Sequence, residues 1–289
     1  MAEMLSDAGY ATAAFGKWHL GDEKGRYPTS QGFDEWYGIP NSMDESLWPA
    51  QQDFQELAKL AKETGKNPID SYTGELLDTV DELKIADHTI FIFTSDNGGE
   101  FMPGYTGWSG PWSGSYFTGR EGSLRVPFII RWPGKVPAGR VSNEIVHQYD
   151  LYATLAKFAG GKIPTDRIID SVDMSGFFLA KQEESGREGF VIYVGNDVHG
   201  AKWRNYKMLT KELEGGLGSG QLNVYPVPRF YNLYLDPREE FPITQQLAGQ
   251  MWWRWGLGPI MVEHAESLAA EPPIKPGTPD PYVPRNKSN

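Results

Sequence analysis

The 289-residue chain contains no cysteine. Disulfides, thiolate metal sites and a cysteine nucleophile are therefore excluded together within these residues. Long apolar runs are missing too: hydrophobic residues make up 39%, and no stretch approaches the roughly 18 consecutive apolar residues of a membrane-crossing helix, so no membrane span is expected. Positive charge is scarce, with 27 basic against 38 acidic residues and a net charge of −11. Such a surface repels a phosphate backbone instead of releasing its counterions, which argues against nucleic acid as a partner. The opening MAEMLSDAGYATAAFGKWHL has no basic stretch followed by a continuous apolar one, so no secretory signal is read there and the compartment stays open. No internal repeat is visible.

What is present reads as α/β. Residues 53–65 carry Phe54, Leu57, Leu60 and Ala61 at helical spacing, with Gly65 placed as a C-cap. A second amphipathic helix is expected from a Ser71 N-cap to about Ile85, through Leu76, Leu77, Val80 and Leu83. The run Thr89 to Thr94 (TIFIFT) has the nearly continuous apolar character of a strand covered on both faces. A further buried strand, Val126 to Arg131, leads to the Pro133-Gly134 turn, and a helix from Asp150 stops at Gly160-Gly161. Beyond Arg187 short alternating runs separated by Gly- and Pro-bearing loops predict an antiparallel sheet, closed by a helix over 259–270 and a proline-bearing tail. The expected division is 1–186, an α/β domain, and 187–289, a smaller antiparallel subdomain with the terminal helix and tail.

In open α/β sheets ligands gather beyond the carboxyl ends of the strands. After TIFIFT those positions are Ser95, Asp96, Asn97 and Gly98, and Asp96 with Asn97 offers two hard oxygen donors suited to calcium or magnesium. Near the start, Lys17 and His19 stand two apart in GYATAAFGKWHLG; in an extended segment they would face one pocket while Trp18 packs the other way. A cation beside an imidazole suits an anionic substrate. Of the remaining histidines, His88 and His264 read as structural, His147 as a capping or packing residue, and His199 as a candidate for a substrate rim, with Lys202, Trp203, Arg204 and Lys207 close by in sequence. Basic residues alternating on one strand face are ordinarily a solvated face. The Trp252-Trp253-Arg254-Trp255 cluster could invite carbohydrate stacking, but aromatic clusters are more often packing between domains.

The pattern Gly9, Tyr10, Thr12, Gly16, Lys17, His19, followed downstream by FTSDNGGE and then E-G-x-L-R-V-P, resembles the sulfatase family in wording and in order. The resemblance implies an alkaline-phosphatase-like fold, a mixed, mostly parallel sheet between helices with a smaller antiparallel subdomain. It implies sulfuric ester hydrolysis of the arylsulfatase type, acting on a sulfate-ester small molecule or a sulfated glycan. Carried over by motif, Lys17 would bind a sulfate oxygen, His19 would assist turnover, and Asp96 and Asn97 would be calcium or magnesium ligands. Arg120 lies four residues beyond Tyr116, which stands where many relatives have a sulfate-contacting lysine, and could supply that cation.

The chain departs from the family elsewhere. Sulfatases generate formylglycine from the first residue of a C/S-x-P-x-R motif, and none of the arginines here follows such a pattern. The aspartate pair expected upstream of GKWHLG is not found, nor is a substrate-binding histidine between Ile39 and Asp70, where an internal deletion near 40–70 is expected. The sequence therefore predicts an N-terminally incomplete family member, inactive alone and open to complementation by an N-terminal segment. The alternatives are a phosphodiesterase or phosphonate hydrolase on the same scaffold, or a non-catalytic binding or partner protein.

Overall fold

A computed structural model describes residues 1–21, 25–38, 59, 68–102, 105–106, 109–215, 220–243, 256–275 and 278. The helix expected over 53–65, the join near 40–70, the tryptophan cluster and most of the C-terminal tail lie outside the described residues.

Among the described residues, three two-stranded sheets carry the N-terminal part. β1 (Ala13–Phe15) and β2 (Glu35–Tyr37) pair in parallel. Their connection is pinned by Thr12, whose hydroxyl donates to the Gly32 carbonyl at 2.7 Å and whose amide donates to Asp34 Oδ2 at 2.9 Å. β3 (Phe91–Thr94) pairs antiparallel with β6 (Phe128–Arg131), and β4 (Phe101–Met102) with β5 (Tyr105–Thr106) forms a small hairpin between them in the chain. The amphipathic helix before β3 spans Pro68–Glu82, starting before the expected Ser71 cap at a proline whose fixed φ suits a first helical turn. Mixed α/β architecture is thus as expected.

Ile92 and Ile130 face each other across the β3–β6 ladder and pack with Ile90 and Phe128 onto Leu151, Leu155, Met174, Phe177 and Phe178. This core is built by the helices Asp150–Phe158 and Ser175–Phe178. The alternate residues Phe93 and Ile129 point away from it, and Ile129 is 57% exposed. Within TIFIFT both faces are half-buried, Ile90 and Ile92 against this core and Phe91 and Phe93 on the other side, where Ile129 of β6 lies open.

The C-terminal part is a four-stranded antiparallel sheet in the order β10 (Gln221–Asn232), β9 (Tyr206–Glu214), β8 (Asp197–Trp203), β7 (Gly189–Val194). Strand alternation gives it two different faces. Ala201, Met208 and Phe230 pack with Leu257 beneath the closing helix Gly258–Ala270. Ile192, Leu209 and Tyr231 face the other way, toward Leu124 of the short helix Glu121–Leu124. This second face joins the C-terminal sheet to the loop system behind Asp96.

Candidate active site

β3 ends at Thr94, and the next five residues form a turn held by its own polar groups. Asp96 Oδ1 accepts the Asn97 amide at 3.0 Å, Ser95 Oγ donates to the Asn97 carbonyl at 3.2 Å, and Asn97 Nδ2 donates to the Gly98 carbonyl at 2.8 Å. Short polar side chains that bond their own backbone are what make such a sequence a turn. From outside, Gln148 Nε2 donates to the Ser95 carbonyl, and Tyr116 N donates to the Gly99 carbonyl at 3.0 Å.

Gly98 is required by packing. Its amide donates to the Ser123 carbonyl at 2.9 Å, and a Cβ placed on it would lie 1.9 Å from the Gly122 carbonyl oxygen. The turn is thus docked backbone to backbone onto helix Glu121–Leu124, a contact that only glycine permits.

Lys17 reaches this turn from the other end of the chain: its ammonium lies 2.9 Å from Asp96 Oδ2. Burial by itself would raise the Asp96 carboxyl, but the hydrogen bond and charge of Lys17, with backbone amides, outweigh it and hold the group below its ordinary value. The extended geometry expected for Lys17 and His19 is not formed. β1 stops at Phe15, Gly16 turns the chain at φ 118°, and His19 is exposed at φ 53°, so the two side chains belong to a loop and not to one strand face. Trp18 does pack inward, edge-on to Phe33 with its indole N–H on the Arg26 carbonyl at 2.9 Å.

The two candidates for substrate binding are placed elsewhere. Arg120 gives its guanidinium to Glu212, to Ser113 Oγ at 3.2 Å and to the Glu239 carbonyl at 3.2 Å, committing its charge to the C-terminal part. His199 is 2% exposed. Ile192 pairs with Gly200 and Tyr193 with Val198, so His199 is the extra residue of a β-bulge, set beside Gly119 and not on a solvent-facing rim.

The sequence reading missed the charged cluster beneath the turn. Glu121, fully buried, accepts Lys202 Nζ and Arg125 Nε at 2.6 Å each, and Lys207 Nζ stands 3.3 Å from its other oxygen. Lys207 also lies 2.8 Å from Glu239 Oε1, an ion pair without hydrogen-bond geometry, while Glu239 Oε2 accepts the Glu121 amide at 2.7 Å. Burial would raise the Glu121 carboxyl, but Lys207, Lys202 and Arg125 together drive it far below its ordinary value; burial pulls Lys202 down to about 8 against the charge of Glu121. Lys202 of β8 and Lys207 of β9 are therefore not on a solvated face. Their alternation was visible in the sequence; the carboxylate they serve, some 80 residues earlier, was not.

An open groove of about 1980 Å³ runs from the turn along β3 and β6; Asp96, Asn97, Tyr116, His147, Phe190 and Lys202 are among its walls. Among the described residues no three His, Asp or Glu side chains converge as a metal cluster. Asp96 and Asn97 supply two oxygen-bearing side chains where calcium takes six to eight oxygens. One Asp96 oxygen is already held by Lys17. The described residues do not by themselves fit a calcium site, and the chain offers no formylglycine precursor motif.

Comparison with known proteins bears on the whole arrangement. Residues 67–161, which include β3, the turn and the Glu121 helix, match the family model described as Sulfatase. N-acetylgalactosamine-6-sulfatase of Canis lupus familiaris is 25% identical, with 94% of this chain and 69% of that protein covered. Human arylsulfatase D is 34% identical over 71% of this chain. The chain belongs to the sulfatase family. It spans only 39% of the length of arylsulfatase D, and 36% of human arylsulfatase H, to which it is 32% identical. The crystal structure of PsFucS1 sulfatase from Pseudoalteromonas sp. superposes with a TM-score of 0.76 at 23% identity, covering 95% of this chain and 74% of that one, so the fold is alkaline-phosphatase-like. Sulfatases are sulfuric ester hydrolases, and the Lys17–Asp96 contact joins the two motifs that carry the family likeness.

Proposed function

We propose that this sulfatase-family chain forms the sulfate-recognising side of a sulfuric ester hydrolase site. One observation carries the reading: Lys17 and Asp96, 79 positions apart, meet at 2.9 Å at the end of a sheet strand. An ammonium has three hydrogens to donate, and Asp96 takes one. The carboxylate orients the lysine while two donors stay available for sulfate oxygens, where they offset negative charge as the ester bond breaks. Asn97 adds a second hard oxygen at the same turn, and His19, exposed on the Lys17 loop, is offered as the group that assists turnover. Asp96 and Asn97 are two of the oxygen donors a calcium or magnesium ion would need, and the rest are proposed to come from a complementing segment. Arg120 and His199 act, in this reading, by holding the wall behind the turn.

The 289-residue polypeptide lacks the nucleophile motif, so it is proposed to turn over sulfate esters negligibly by itself and to need a complementing N-terminal segment. Purified protein offered aryl sulfate and aryl phosphate with calcium tests this. Aryl sulfate turnover that Asp96→Ala abolishes would refute the proposed inactivity. Preference for the phosphate ester would move the chain to phosphodiesterase chemistry.

A further inference from the structure

We propose that His147 is a specificity-determining residue that donates a hydrogen bond to a hydroxyl of the sugar carrying the sulfate. This rests on the sulfate-ester reading and deepens it. His147 precedes Gln148, whose side-chain amide holds the Ser95 carbonyl of the Asp96 turn, so the imidazole is fixed next to the turn on the groove wall. Its ring is clamped in a stack: Tyr149 lies parallel to it with centroids 3.6 Å apart, Phe190 meets it edge-on at 5.3 Å, and the Arg187 guanidinium covers the far side of Tyr149 at 4.7 Å. Arg187 is held by both oxygens of fully buried Asp150, at 2.7 and 2.5 Å, and Asp150 Oδ2 also accepts the His147 amide at 2.8 Å.

Nδ1 of His147 is enclosed and has no hydrogen-bond partner, so Nε2 is the nitrogen with access to the groove. Nδ1 is without a partner in either tautomer; the one with the proton on Nε2 leaves it an orphaned acceptor, which is the better tolerated of the two, and presents an N–H to the groove. Burial holds the imidazole down to about 4, against the charges of Asp150 and Asp170 and with that of Arg187, so it is uncharged at neutral pH. A neutral donor on a groove wall that also carries Phe190 matches a sugar, with hydroxyls on its rim and an apolar face, better than it matches the sulfate anion, which Lys17 serves.

Binding is measured at pH 7 with three probes: N-acetylgalactosamine 6-sulfate, phenyl sulfate and inorganic sulfate, on the wild-type chain, His147→Phe and His147→Gln. The expected result is a loss of about fivefold in affinity for the sugar sulfate in His147→Phe, the worth of one hydrogen bond. Partial recovery in His147→Gln and unchanged affinity for phenyl sulfate and inorganic sulfate complete the expectation. In the wild type, the His147 Nε2 nitrogen-15 resonance moves with the sugar sulfate alone, a readout that needs no variant to fold. Inorganic sulfate binding that Lys17→Met removes, combined with a His147 signal indifferent to the sugar, overturns the His147 role and leaves the sulfate reading intact. Absence of binding by all three probes overturns both.

Discussion

Replacing Glu121 by glutamine keeps the size of the side chain and deletes one charge. Lys202 and Lys207 then remain in a site where their side chains are 7% and 0% exposed, with Glu239 still facing Lys207. Breaking a buried ion pair from one side typically costs about 3–5 kcal/mol, because the surviving charge is left without compensation. At roughly 2–4 °C per kcal/mol for chains of this size, melting should fall by about 10 °C. The pH dependence has a definite sign. The folded-state Glu121 carboxyl lies far below its ordinary 4.5, so its contribution is complete above pH 4.5 and is lost as the pH falls toward the folded value. Each unit below 4.5 removes about 1.4 kcal/mol from the wild type, so by pH 3 the gap to Glu121→Gln should narrow by about 2 kcal/mol. Thermal melts at pH 7 and at pH 3 supply both numbers. A shift under 2 °C at neutral pH, or a gap of unchanged size at pH 3, would refute the claim that this carboxylate binds the C-terminal sheet to the helix beneath the Asp96 turn.

Lys17→Met should let the Asp96 carboxyl rise, since the hydrogen bond and charge that offset burial are gone; carbon-detected NMR titration of Asp96 reads this directly, and an unmoved midpoint would sink the pairing. Gly98→Ala places a methyl 1.9 Å from a backbone oxygen and should cost about 1–3 kcal/mol, with faster amide exchange at Gly98 as the local signature. Wild-type exchange at that amide in the variant would show that the turn is not docked on Ser123.

Much of this protein was legible in the chain because the signals were local. The helix ahead of TIFIFT, the strands on either side of the turn, the helix that begins at Asp150 and the antiparallel C-terminal sheet each follow from short-range periodicity and from glycine placement. The chemistry-bearing residues Lys17, Asp96 and Asn97 stood out in the same way, through motif wording. What periodicity could not carry was which side of a strand finds a partner. TIFIFT reads as a fully covered strand, yet the structure leaves both of its faces half-buried, because its coverage depends on elements distant in the chain.

Tertiary structure alone decided the rest. A bulge of one residue at His199 reverses the face that alternation would assign it. Lys202 and Lys207 carry the pattern of a wetted strand, but Glu121 draws them inward, because a buried carboxylate with three cations around it is tolerable where a buried lysine by itself is not. Arg120 is turned from the groove by Glu212 for the same reason. Charge pairing acts through space at a few ångströms and is blind to sequence separation, so the one-dimensional chain determined which groups were available and only the folded one determined how they met.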